Sequence, residues 1–103
     1  MMIHVLATIE VKPGKREAFL REFYALVPQV RAEVGCIEYG PTVDLPMGSP
    51  AQKPERTNTV VVIEKWQTLD ALKAHSVAPH MGVYRERVKD LVLGMDLQVL
   101  RNA

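Results

Sequence analysis

Val60-Val61-Val62-Ile63 constrains the fold more than any other stretch of the chain. An unbroken β-branched apolar run reads as a strand with both faces covered. The strand is predicted from Thr57 to Trp66, and the chain changes character directly after it. Thr68 is a helix-capping residue type, and Asp70 suits a first helical turn. Leu69, Leu72 and His75 recur at three-residue spacing, which predicts that they share the inward face of a helix reaching about Val77. The stretch from Glu64 to His80 thus switches from strand to helix and carries the only tryptophan, Trp66, and two of three histidines, His75 and His80. An indole at the strand end and an imidazole on the next helix can face one hollow between sheet and helix. One helical layer covers one face of a sheet. A strand apolar on both faces therefore calls for a homodimer, with two sheets packed face to face.

The flanking segments supply the other layers. Ile3, Val5, Ala7, Ile9 and Val11 alternate with His4, Leu6, Thr8, Glu10 and Lys12, the period of a strand with one buried face. His4 reads as a surface or interface residue. Pro13-Gly14 ends this strand. Lys15 to Val34 follows as a helix with an apolar stripe of Phe19, Phe23, Leu26, Val27, Val30 and Val34. Pro28 removes a helical hydrogen bond and crowds the preceding turn, so a kink or break is expected between Tyr24 and Pro28. Gly35 is placed to end the helix in a left-handed conformation. Cys36 to Thr42 reads as the second strand. Leu45 to Arg56 holds Pro46, Gly48, Ser49, Pro50 and Pro54 and has no periodicity. It exceeds the about 2–5 residues of a hairpin connection and reads as a lid, an arm reaching a partner or a disordered insert. Pro79 opens a further helix to about Leu91, with Met81, Tyr84, Val88 and Leu91 inward and His80 at the edge of that face. Gly94 breaks this helix, and Met95 to Arg101 forms the last strand, with Met95, Leu97 and Val99 on one face.

This order of elements predicts a single α+β domain over residues 1–103, the ferredoxin-like split βαββαβ arrangement: an antiparallel sheet with helices on one face. The single Cys36 excludes an internal disulfide and reads as a small buried residue. Thirteen Lys and Arg against twelve Asp and Glu, scattered along the chain, give a net charge of +1 and no electrostatic reason to expect nucleic acid or anionic membrane as partners. No apolar stretch approaches a membrane span, and the N-terminus lacks the pattern of a signal peptide, so a cytoplasmic protein is expected. Nucleotide fingerprints, phosphate loops and the Gly-x-Ser-x-Gly elbow are absent. His75 and His80 would stand about 140° apart on an unbroken helix, and no carboxylate completes a known ligand spacing. No metal site is expected.

Glu64, Trp66, Leu72, His75 and the Pro79-His80 pair, with Val11-Lys12-Pro13-Gly14-Lys15 and Gly35-Cys36-Ile37-Glu38-Tyr39, resemble the antibiotic biosynthesis monooxygenase (ABM) family. The likeness is to its small quinol-monooxygenase-like branch, and it covers nearly the whole chain apart from Leu45 to Arg56. It implies a dimeric α/β barrel in which dioxygen oxidises a small electron-rich phenol or quinol with no cofactor. The roles it implies are His75 as base, Trp66 as the wall on which an aromatic ring stacks, and Tyr39 or His80 as the group that orients the substrate. Glu64, on the strand face of Trp66, either orients a histidine or ends a surface ladder. Tyr39 reads equally as a pocket phenol and as a half-buried strand aromatic. The alternative for His75 is a satisfied histidine at a helix–sheet junction. Two other functions stay open. One is a dimeric small-molecule binder without turnover. The other is haem binding or degradation, as in a related branch that joins a first-strand asparagine to a tryptophan and a helix histidine. Ala7 and Thr8 stand in the first strand here and no asparagine does, which speaks against haem cleavage.

Overall fold

A computed structural model describes residues 1–103. Strand β1 (Ile3–Val11) leads to α1 (Arg16–Arg31), β2 (Cys36–Thr42), β3 (Thr59–Trp66), α2 (Leu69–Ser76), α3 (Pro79–Val88) and β4 (Val92–Arg101). The strands form one antiparallel sheet in the order β2-β3-β1-β4. With its helices on one face, this is the expected ferredoxin-like α+β fold. No helix is long and apolar enough to cross a membrane.

The core follows from the alternation. Ile3, Val5, Ala7, Ile9 and Val11 are all buried, and they join Phe19, Phe23, Leu26, Val27 and Val30 of α1 in one cluster. Burying such a side chain contributes about 1.5–3 kcal/mol, so the α1 stripe holds the helix to the sheet. On β3, Val60, Val62, Glu64 and Trp66 are buried, while Val61, Ile63 and Lys65 are half-buried on the other face.

Five local expectations are corrected. Helix α1 runs through Pro28 without a break. Proline denies the Tyr24 carbonyl its helical donor, but Tyr24 lies on the exposed side of the helix, where water can take the bond. The helix ends at Arg31, and Val34, expected in the stripe, sits in the following turn at 91 % exposure. Leu69 is exposed rather than inward. Three-residue steps on a 3.6-residue turn drift, so Leu69 and His75 point about 120° apart, and Leu72 and His75 take the inward positions. Gly94 breaks no helix: α3 has ended at Val88, and Gly94 lies within β4 opposite Glu10, beside a register shift. Cys36, read as buried, is half-buried.

Two connections matter for the site. Gly35 closes the turn after α1 at φ +83°, and a Cβ there would fall 2.6 Å from Ala71 Cβ on α2. This glycine sets how closely α2 approaches the end of α1. Thr68 caps α2 as expected, its side chain accepting the Ala71 N–H at 3.1 Å. The 45–56 segment is irregular but tied. Arg56 donates to Asp44 through its backbone N–H and Nε, both at 2.9 Å, and through Nη2 at 2.8 Å. The Gln52 amide reaches the backbone of Met47 and Leu45.

Candidate active site

The site is assembled where the end of β3, the turn after α1 and the α2–α3 junction meet. Glu64 stands opposite Tyr39 of β2 and Val5 of β1, so the strand period turns all three toward the helices. Trp66, two residues on, shares that face and donates from Nε1 to Glu64 Oε1 at 3.0 Å. Glu64 is 5 % exposed. Burial pushes its carboxyl pKa up, and the indole bond partly counters that.

Helix α2 lowers His75 onto this strand end. The imidazole lies 4.7 Å from the Trp66 ring, tilted by 34°, and 5.4 Å from the Tyr39 ring, nearly edge-on at 65°. Its Nδ1 is 2.9 Å from Glu33 Oε2, in the turn after α1, and its Nε2 is 4.0 Å from Glu64 Oε1. An ionised carboxylate only accepts, so the Glu33 bond assigns a proton to Nδ1. The Glu64 distance is too long for a hydrogen bond. That leaves the Nε2 lone pair of neutral His75 unclaimed, beside a carboxyl that lines the same cavity.

The cavity measures about 410 Å³, and 13 of its 18 lining residues are hydrophobic. That volume falls in the range of small-molecule sites. Val5, Ala7 and Ile9 line its sheet side, and Phe23, Tyr39 and Tyr84 make an aromatic wall. Phe23 stacks on Tyr39 at 5.5 Å and meets Tyr84 edge-on at 5.7 Å. Burial pushes both phenols above their ordinary pKa, so each keeps its proton and can donate to a guest oxygen.

His75, Tyr39 and Glu64 therefore line one cavity. Glu64 is no surface ladder, and Tyr39 is buried rather than half-buried. Trp66 is placed differently. It is 0 % exposed and absent from the cavity wall, because His75 lies across it. Trp66 supports His75 and Glu64 from behind, and the aromatic side chains that line the cavity are Phe23, Tyr39 and Tyr84. His80 also stands outside this cavity. The restart at Pro79 puts it on the other side of Glu33, with Nε2 2.7 Å from Oε2, where it lines a second hollow of about 210 Å³ between α1 and α3. No three His, Cys, Asp or Glu side chains are grouped to hold a metal ion.

Glu33 is the residue the sequence reading missed. One signal was available: it lies just past the C-terminus of α1, where the helix dipole disfavours a negative charge. A carboxylate there gains from a cationic or proton-donating partner. The sequence does not say that histidines 42 and 47 residues away supply it.

The model of the antibiotic biosynthesis monooxygenase family matches residues 2–87. The chain belongs to that family. Among ABM-family relatives it is 39% identical, over 102 residues and 97% of both chains, to "Probable quinol monooxygenase YgiN" of Escherichia coli (strain K12). Its fold is similar to that of PA3566 from Pseudomonas aeruginosa, 27% identical with a TM-score of 0.79 over 99% of this chain and 94% of that one. It is equally similar to Rv0793 from Mycobacterium tuberculosis, 25% identical with a TM-score of 0.79 over 100% and 96%. Within the ABM match lie Glu33, Tyr39, Glu64, Trp66, His75 and His80, while β4, which contributes Met95 and Leu97 to the cavity, lies beyond it.

Proposed function

We propose that this ABM-family protein is a monooxygenase that oxidises a small electron-rich phenol or quinol with dioxygen, the substrate itself supplying the electrons. The observation that carries this reading is the His75 imidazole, held through Nδ1 by Glu33 at 2.9 Å, at the wall of a largely apolar, aromatic-lined cavity. The similarity to a protein named "Probable quinol monooxygenase YgiN" supports the substrate class. A free histidine has a pKa of about 6.5 and can take a phenolic proton near neutral pH. Here Nε2 is the accepting atom, and the Glu33 carboxylate stabilises the imidazolium that forms. Tyr39 orients the ring by donating to a second oxygen, while Phe23 and Tyr84 offer apolar contact. The anion gives one electron to dioxygen, and the water-poor cavity confines the radical pair until a C–O bond forms. For a hydroquinone the sum closes without another reductant: hydroquinone and dioxygen give hydroxyquinone and water. One C–H bond and the O–O bond break, and all four electrons come from the ring.

Oxygen uptake with a small hydroquinone tests this. Replacing His75 by Gln lowers kcat by about 10²–10⁴-fold, the usual weight of a general base. Equal rates remove His75 from the chemistry, and ligand-induced thermal stabilisation without uptake leaves a binding protein. The reading includes a homodimer, with a second copy against the sheet face away from the helices. Support comes from Leu6 and Ile63, cross-strand partners on that face with Leu6 exposed. Light scattering on wild type and Leu6→Lys checks it: the wild type runs at twice the chain mass and the variant at one.

A further inference from the structure

Glu33 Oε2 is the atom that both site histidines touch, Nδ1 of His75 at 2.9 Å and Nε2 of His80 at 2.7 Å. The two rings look into different spaces. The His75 side chain is 6% exposed and lines the cavity; that of His80 is 22% exposed and lines the hollow between α1 and α3. One carboxylate balances one imidazolium. Two cations sharing it repel each other, so the second proton binds less readily than the first.

We propose that Glu33 couples the two rings, so that each proton His75 takes from a substrate is matched by one that His80 releases to solvent. This rests on His75 acting as the base. Before turnover His80 is the imidazolium paired with Glu33, and His75 is neutral with its proton on Nδ1. The substrate O–H bond breaks and an N–H bond forms at His75 Nε2. Glu33 then faces two cations, and His80 gives its Nδ1 proton to water in the outer hollow. No electron moves along this path, and the cavity does not have to admit water. When an oxygen in the cavity later needs a proton, His75 returns it and His80 recharges.

Glu33 is the one carboxylate that both rings touch. Around His75 stand Glu33, Glu64 from β3 with Oε1 4.0 Å from Nε2, and Tyr39 from β2, while Arg85 and Lys89 of α3 line the same cavity. Burial and the nearby Glu33 and Glu64 push the Cys36 thiol up, so it stays protonated. Glu64 is turned to the Trp66 indole. Around His80 the hollow holds Glu22, Arg87 and Tyr84. Glu22 and Arg87 satisfy each other at 2.6 Å. Glu33 is a positioning residue for His75, and His80 is its outlet.

Ring-proton NMR of the three histidines across the neutral range tests the coupling without any turnover. His4, on the opposite face of β1 from the site and bonded to Asn102, serves as the reference. In the wild type His75 and His80 titrate in two shared steps. His80→Gln reduces His75 to one step and tightens its proton binding about tenfold; Glu33→Gln leaves two independent single steps. A His75 curve unchanged by His80→Gln overturns the proposal. If Glu33→Gln does not fold, the wild type and His80→Gln decide alone, since His80 is partly exposed. In weakly buffered oxygen-uptake assays, His80→Gln lowers kcat about tenfold with KM unchanged, and added imidazole restores it. A kcat equal to wild type overturns release at His80. Failure of the wild type to consume oxygen removes the base role instead, and the shared titration steps then still report whether Glu33 couples the rings.

Discussion

Strands β1 and β4 lie side by side and alternate alike, yet they meet opposite fates. In register, Val5 faces Val99, Ala7 faces Leu97 and Ile9 faces Met95. The β1 residues are at most 4% exposed, and their partners are 43, 54 and 58% exposed. The cause is the helical layer. Helix α1 approaches the sheet at β2, one edge, and β4 is the opposite edge strand. Alternation tells which face a side chain takes; it does not tell whether anything covers that face. The uncovered strip is also where the cavity borders β4, through Met95 and Leu97. The same geometry that leaves these side chains exposed gives the site its edge.

The sharpest test pairs Ile9→Ala with Met95→Ala, one cross-strand couple. Truncating Ile9 costs about 2–5 kcal/mol, as for other buried aliphatics. Truncating Met95 costs less than about 0.5 kcal/mol, as for a surface side chain. Urea melts at two protein concentrations check both. A Met95 cost that rises to the Ile9 level and depends on concentration would show that another chain covers the strip. Gly35→Ala comes next, at about 1–3 kcal/mol, because it combines a left-handed backbone with the 2.6 Å approach to Ala71. It probes how far the covered side depends on α2 sitting close. A thermal melt reads the loss, and a shift in the His75 titration reads the accompanying displacement of Glu33.

What was legible in the sequence divides along the same line. The β1 alternation, the α1 stripe from Phe19 to Val30 and the Thr68 cap are local patterns, and each appears as expected. So does the shared face of Glu64 and Trp66, since it needs only the strand period. The contents of that face were not legible. Trp66 was expected at the cavity wall, but its exposure depends on where α2 sets His75, and Gly35 and Ala71 decide that. Glu33 was missed because its partners come from α2 and the first turn of α3. Pro28 misled because a proline signals a local cost, and only the packing of Phe19, Phe23 and Val30 shows that the helix withstands it.

Glu64 is the polar exception on the covered side, and its pH dependence sharpens the contrast. Burial raises its folded-state pKa above the unfolded value of about 4.3. A carboxyl shifted this way binds its proton more tightly when folded, so stability falls as pH rises from the unfolded to the folded value. Above that window the cost is fully present; below about pH 4 it is gone. Glu64→Gln keeps an oxygen for the Trp66 indole and removes the charge. It therefore raises the midpoint of urea unfolding at neutral pH, and the gain shrinks to nothing on acidification. A variant less stable than wild type at pH 7 would mean that the ionised carboxylate is itself held in place, with His75 the group nearest to hold it.

The smallest effect belongs to the far connection, where Arg56 closes the 45–56 segment on Asp44. The guanidinium holds the Asp44 carboxyl down at about 2. For a lowered carboxyl the stabilisation is present above the unfolded value of about 3.9 and is lost as pH falls through the folded one. The pair is solvent-exposed, so its worth to the whole fold is small. Asp44→Asn leaves global unfolding nearly unchanged at pH 7 but speeds hydrogen exchange at the Arg56 N–H and proteolysis within 45–56. In the wild type the same local loosening sets in as the pH approaches 2. The segment then behaves like β4, structured by its own bonds and covered by nothing. If Asp44→Asn instead lowered global stability as much as Gly35→Ala, the segment would belong with β1 among the covered parts. Leu45 and Met47, exposed on it, would be the first side chains to truncate in search of what it packs against.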